Sequence, residues 1–319
     1  MVKRLTAWVH EGWGYGARRM PAPTSIPHVV DVLTFRGAQA GPTPDLLIEI
    51  PHGATRTADF DDVAQWLSSP LPEGLVDFFH VNTDAGAPEL GVAIAHRLTK
   101  EDPTKSVAIL RCRIPRTFID CNRRIDARPE EFKAGKVTPG LMPWVTTDDD
   151  RALLLQRSRA YMNAVDDAVS LVMPKGGAML LLHTYAPRTV GVEVNLDIVK
   201  SLHAAYRPET ESTWPLRPEV DVIGTTVEGQ SLAPAPVVDR LKTSLAALGL
   251  GLANGESYPL HPSTLAHGHV VKWPGRVLCV EVRRDLLAAP WTPFAQMAIS
   301  DDACARFAGP FVEAMRAFW

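Results

Sequence analysis

Three apolar runs of this 319-residue chain end in residues able to do chemistry: DLLIEIPHG at His52, AMLLLHTY at His183, and RVLCVEVRR at Glu281. A catalytic zinc ion usually takes three protein ligands from His and carboxylate and keeps a fourth position for water. His52 and His183 supply two imidazoles for such a set. Asp84 is a candidate third ligand, because the helix it opens should pack back across the sheet and bring its N-terminus near the strand edge that holds His52. A plain N-cap is the competing reading of Asp84. Asp59 and Asp61 lie nearer to His52 in sequence and compete for the same role. Either histidine alone is more often a hydrogen-bonded structural residue, but the strand-end position of both favours a shared ligand sphere. For Glu281 the competing reading is a strand-end ion pair with Arg283 or Arg284.

A second cluster, RTFIDCNRR, packs Arg116, Asp120, Asn122, Arg123 and Arg124 behind an apolar stretch. Guanidinium forks beside an amide match a carboxylate bidentately, so this motif reads as a grip for a substrate carboxylate once a metal site stands next to it. HPSTLAHGHVVKW carries His261, His267 and His269. In a strand, residues two apart face the same way, which would offer a different metal site. A loop closing over the pocket, with His269 or Lys272 touching substrate, is the reading we prefer. Glu193 and Asn195 follow His183 closely enough to be further candidates for the pocket lining.

These residues need a scaffold that brings strand ends together. DLLIEI, SVAILRC, RTFIDC, AMLLLHTY and RVLCVEVRR read as strands, with EVDVIGTT as an edge strand. Residues 84–98 have helical spacing in Leu90, Ile94 and Leu98. Residues 148–172 have helical periodicity with acids in the first turn, residues 234–251 form a helix with Pro near its start and Gly at its end, and a last helix runs over 300–317. Strands alternating with helices predict one α/β domain, a mostly parallel mixed sheet flanked by helices. Ligands of such sheets bind outside the carboxyl ends of the strands. Residues 1–45 are rich in Gly, Pro, Ala and Trp and are expected to form an irregular arm, leaving 46–319 as the catalytic domain.

Bulk properties narrow the partners. A hydrophobic fraction of 46% and a charged fraction of 22% are those of a globular protein. A net charge of -3 offers no broad positive field, so neither nucleic acid nor a membrane surface is expected as a partner. The four cysteines show no metal-finger spacing and read as reduced thiols. The N-terminus lacks the apolar core of a signal peptide, which makes the cytoplasm the expected compartment.

PHG at 51–53, TDAG at 83–86, RTFIDCNRR, LLHTYAP and VEVRRDLL resemble, in the same order, motifs of the N-formylglutamate amidohydrolases, distant relatives of aspartoacylase, succinylglutamate desuccinylase and the zinc carboxypeptidases. The resemblance spans roughly residues 46–290. It implies a zinc carboxypeptidase-like fold and one Zn²⁺ held by His52, Asp84 and His183. It also implies Glu281 as catalytic base, and Asn122 and Arg123, helped by Arg116, on the substrate's α-carboxylate. The substrate would be a small N-acyl amino acid or a short peptide. Two positions depart from the relatives: Thr55 stands where an HxxE motif has Glu, and Thr-Tyr follows the second histidine. The alternatives are a carboxypeptidase acting on a peptide or cell-wall fragment, and a metal-free binding protein.

Overall fold

The computed structural model describes residues 23–124, 140–288 and 290–319. Seven strands form one sheet in the order β1-β3-β2-β4-β7-β5-β6. These are β1 (Val30–Arg36), β2 (Leu46–Ile50), β3 (Ser106–Cys112), β4 (Ala178–Tyr185), β5 (Val220–Val222), β6 (Leu252–Asn254) and β7 (Val277–Arg283). The central run β3-β2-β4-β7 is parallel throughout, whereas β1 joins β3 and β5 joins β7 antiparallel.

The central strands are apolar on both faces because helices cover both. Side chains alternate across a strand, so Leu46, Ile48, Leu180, Leu182, Leu278 and Val280 point into one core. That core is closed by α3 (Ala87–Glu101), α6 (Ala235–Ala246) and α8 (Asp301–Met315). Leu47, Met179, Leu181 and Cys279 point into the other, with α1 (Thr57–Ala64), α2 (Leu75–Asn82), α4 (Asp148–Val172), α5 (Ile198–Ala205) and α7 (Leu265–Lys272). His183 and Glu281 share the parity of this second face, and the β4/β7 register sets them side by side.

Helix α4 begins where the acidic run predicts. Thr147 caps it by accepting the Asp150 N–H, while the Asp150 carboxylate takes the Ser68 and Ser69 N–H groups and the Ser69 hydroxyl, tying the helix start to the chain after α1. All four cysteines are buried free thiols.

Four expectations need correction. Residues 30–36 are a regular strand on the outer edge of β3, so the arm is not irregular throughout; its first 22 residues lie outside the described ones. RTFIDC is a turn with a single bridge at Ile119 rather than a strand, because its apolar run is too short to pair along its length. EVDVIGTT supplies β5, which lies between β7 and β6 and is not an edge. HPSTLAHGHVVKW leads into α7, capped by Thr264, so His267 and His269, about 200° apart around a helix, do not share a face.

Candidate metal centre and its cavity

The site forms beyond the C-terminal ends of β2, β4 and β7. Chain direction changes sharply at Gly53, where an added Cβ would stand 2.7 Å from Cγ of Arg111 and 3.0 Å from the Ile50 carbonyl. Only glycine lets β2 turn against its neighbour at this point, and His52 is thereby held at the strand end. On the α3 side, Gly86 is the N-cap residue, with φ +92, a left-handed conformation that glycine adopts without strain. Asp84 is therefore released from capping. Its backbone ties the loop instead, accepting from Ala87 N–H at 3.0 Å and donating to the His52 carbonyl at 3.4 Å.

That arrangement aims the Asp84 carboxylate between the two imidazoles. Oδ2 of Asp84 lies 3.3 Å from Nδ1 of His52 and 2.9 Å from Nδ1 of His183. The two rings stand 5.1 Å apart, and one ligand atom from each of the three residues falls within 4.8 Å of the others. All three side chains are buried. Burial by itself would raise the Asp84 carboxyl, but the His52 and His183 imidazoles outweigh it and hold the group well below the usual carboxylate range. Burial likewise disfavours a charged His183, yet its hydrogen bond to Asp84 pushes the imidazole well above its ordinary value. Two imidazoles and a carboxylate converging on one point are a donor set for a divalent cation, and the residues present fit zinc.

The competing ligands are spent elsewhere. Asp59 accepts from Thr55 and Arg56 N–H and pairs with Arg111 at 2.7 Å and Arg113 at 2.7 Å, and Asp61 is exposed. Thr55, at the position of the missing HxxE glutamate, donates its N–H to Asp59.

Behind His52 stands a carboxylate to which the motif reading gave no role. Asp120 is buried, with Oδ1 2.8 Å from Nε2 of His52 and accepting Asn122 N–H at 2.9 Å, and with Oδ2 3.0 Å from Arg116. Arg123 adds a contact at 3.5 Å. Burial opposes its ionisation, but Arg123, His52 and Arg116 together hold the carboxyl well below its ordinary range. A carboxylate on the far nitrogen of a ligating histidine fixes the tautomer and the ring orientation. The sequence signal was an acid in a turn packed with arginines; only the tertiary structure shows which ring it meets.

A cavity of about 260 Å³ opens in front of this cluster. His52, His183, Glu281, Arg116, Asn122 and Arg123 all line it. Glu281 is buried deeply enough for its carboxyl to be pushed up, and its Oε2 has no hydrogen-bond partner among the described residues. Among the described residues it forms no strand-end ion pair. Arg283 bonds Asp285 at 2.8 Å, and Arg284 donates to the Val81 and Thr184 carbonyls. Asn122 accepts Ala266 N–H at 3.3 Å, which docks the DCNR turn against the start of α7.

His269 is placed differently from expectation. It is buried in α7 and borders a second cavity with Arg124, Met162 and Lys272, away from the three clustered ligands. His261, held by Ser263 at 2.7 Å, is the histidine of that segment that reaches the main cavity. Glu193 and Asn195 are not among its lining residues; Val190, Val192 and Val194 are. Residues that sequence reasoning missed include Arg217, stacked 5.0 Å from Tyr185 and 5.2 Å from Tyr258, and Arg284. Arg217 lies in a loop and Arg284 opens a single 3₁₀ turn after β7, and neither stretch carries a periodic signal.

No helix among the described residues is long and apolar enough to cross a membrane. Neither the protein-family models nor the curated proteins match this sequence. Among solved structures, a gene product of Agrobacterium tumefaciens, Atu2144, is similar at 16% identity and a TM-score of 0.50, covering 91% of this chain and 94% of that one. The N-formylglutamate amidohydrolase of Ralstonia eutropha JMP134 is similar at 17% identity over 90% of this chain and 96% of that one, with a TM-score of 0.55, so this chain has the fold of that protein.

Proposed function

We propose that this protein is a metal-dependent amidohydrolase that cleaves an amide bond beside a free carboxylate, with an N-acyl amino acid as substrate. The observation that carries the proposal is the convergence of His52, Asp84 and His183 on one point, with the unpartnered oxygen of Glu281 in the same cavity. The likeness in fold to an amidohydrolase agrees with it.

In this reading His52, Asp84 and His183 hold one Zn²⁺. When bound, zinc supplies a Lewis acid that polarises a carbonyl and lets water act as a nucleophile near neutral pH. The chain's own residues do the rest. Asp120 keeps the His52 ring oriented by accepting its Nε2–H, leaving Nδ1 for the metal. Arg116, Asn122 and Arg123 receive the substrate carboxylate and so fix the scissile amide over the three ligands; holding reactants this way removes much of the entropic barrier. Glu281 accepts the proton of the attacking water at its free oxygen and passes it to the leaving nitrogen. Its raised pKa suits that double duty, because a carboxyl nearer neutrality both takes and returns a proton.

The test combines metal analysis with one substitution. The purified protein is expected to carry zinc near one equivalent and to hydrolyse N-acyl amino acids. Glu281→Gln is expected to keep the metal and lose turnover by about 10²–10⁴-fold. Parental turnover in that variant would refute the base. Hydrolysis of dipeptides alone would make the protein a carboxypeptidase, and protein that binds no metal would be a binding protein rather than a hydrolase.

A further inference from the structure

The cavity has two chemically distinct ends. One carries His52, His183, Glu281, Arg116 and Arg123. The other is built by the chain after β4, where Val190, Val192 and Val194 line the space while Gly191 and Glu193 between them, and Thr189 before them, are exposed. Three valines at a period of two form one face of an extended segment. They continue into Ile198, Leu202 and Tyr206 of α5 and its end, and α2 adds Phe78 and Val81. The two helices pack against each other, so this wall belongs to the body of the protein. The valines are only partly covered, although they pack on the core, because their inner face borders the cavity.

Each arginine of the cavity lining already has a protein partner, and Arg116 and Arg123, beside His52, are the two assigned to the substrate carboxylate. Arg116 and Arg123 pair with Asp120 beside His52. Arg188 donates to the Trp214 carbonyl at 2.6 Å, and Arg284 is held by two carbonyls. Arg217 stacks between Tyr185 and Tyr258 and bonds Thr189 at 3.1 Å. Arg188 lies just before this stretch and Arg217 bonds Thr189 beside it, whereas between residues 190 and 206 the lining consists of Val190, Val192, Val194, Ile198, Leu202 and Tyr206. A second carboxylate placed against Val190, Val192, Val194, Ile198 and Leu202 would lose its hydration to side chains that cannot hydrogen-bond, which disfavours it. An alkyl or aryl group there gains the full benefit of apolar burial.

We infer that the substrate is amphipathic: one carboxylate next to the scissile amide, and an apolar group that fills the wall formed by Val190, Val192, Val194, Ile198 and Leu202. This inference rests on the amidohydrolase reading for the bond that is cleaved, and on the cavity alone for the class of ligand. The apolar group can be the amino-acid side chain or the acyl chain. Both present the same chemistry to the wall.

Calorimetric binding to the zinc-loaded protein separates these cases, with turnover recorded in parallel. N-acetyl-L-alanine is the baseline, N-acetyl-L-leucine and N-acetyl-L-phenylalanine carry an apolar side chain, N-hexanoyl-L-alanine carries an apolar acyl group, and N-acetyl-L-glutamate carries a second carboxylate. At least one apolar arm is expected to bind about tenfold to a hundredfold tighter than the baseline, and which arm does so names the group that occupies the wall. N-acetyl-L-glutamate is expected to bind no tighter than the baseline. Val192→Asn is expected to bring the ratio of the favoured arm to the baseline towards one, its zinc content and melting temperature reporting that it is folded. Tightest binding of the glutamate ligand, binding of all five within threefold, or no binding would overturn the inference. Tight apolar binding without cleavage would leave it standing and refute the hydrolase instead.

Discussion

Replacing Asp120 with Asn tests whether the carboxylate behind His52 works for the metal or only for the fold. Asp120 Oδ1 faces two donors, the His52 ring at 2.8 Å and Asn122 N–H at 2.9 Å, whereas Oδ2 faces Arg116 at 3.0 Å and Arg123 at 3.5 Å. An amide has one acceptor oxygen. If it serves His52, its NH₂ confronts two guanidinium groups; if it serves the arginines, the NH₂ confronts His52 and Asn122. Either way a buried charge pair is broken, a loss of about 3–5 kcal/mol in such settings. The metal should feel a separate loss, because a carboxylate that orients a ligating histidine is worth about 10–100-fold in affinity, or ~1.4–2.7 kcal/mol. Chelator competition measures the second quantity and urea denaturation of the metal-free protein the first. Zinc affinity within twofold of the parent, at whatever stability, would refute the proposed link from Asp120 through His52 to the metal.

Asp150→Ala removes the acceptor of the Ser68 and Ser69 donors at the start of α4 and is expected to cost about 1–3 kcal/mol in urea denaturation. Burial opposes ionisation of Asp150, but the Ser69 hydroxyl and the Ser68 and Ser69 N–H groups hold its carboxyl well below the usual range. Its stabilising contribution is therefore complete above about pH 4, the value of an unfolded Asp, and is lost as pH falls further towards the folded value; a parent-minus-variant stability difference that stays constant from pH 6 to pH 2 would contradict this. Gly86→Ala is strained by the positive φ and brings a Cβ to 2.9 Å from Leu287, so it is expected to destabilise by about 1–3 kcal/mol and to weaken zinc binding by displacing Asp84. Parental zinc affinity in a folded Gly86→Ala protein would show that the Asp84 loop does not depend on that turn.

Much of the scaffold was legible because its signals are local. Apolar runs closed by Pro-His-Gly, by His-Thr-Tyr and by Glu-Val-Arg-Arg mark β2, β4 and β7, and the acidic first turn after Thr147 marks α4. The same runs placed His52, His183 and Glu281 at strand ends. RTFIDC was misread because three apolar residues, Phe118, Ile119 and Cys121, fit a turn packed inward as well as a strand. His269 was expected on a loop closing over the main cavity, but the Thr264 cap makes that segment a helix, which sets His269 against the second cavity.

By itself, then, the chain determined which residues stand at the strand ends and that helices must cover both faces of the sheet, since both follow from hydrophobic periodicity and from the chemistry of single residues. Only the tertiary structure decided that Asp84 rather than Asp59 sits between the imidazoles, that Asp120 backs His52, and that valines rather than Glu193 face the cavity. These outcomes depend on contacts between groups up to about a hundred residues apart, such as His183 with Asp84. Their geometry is set by how β2, β4 and α3 pack, a property that no local stretch of sequence carries.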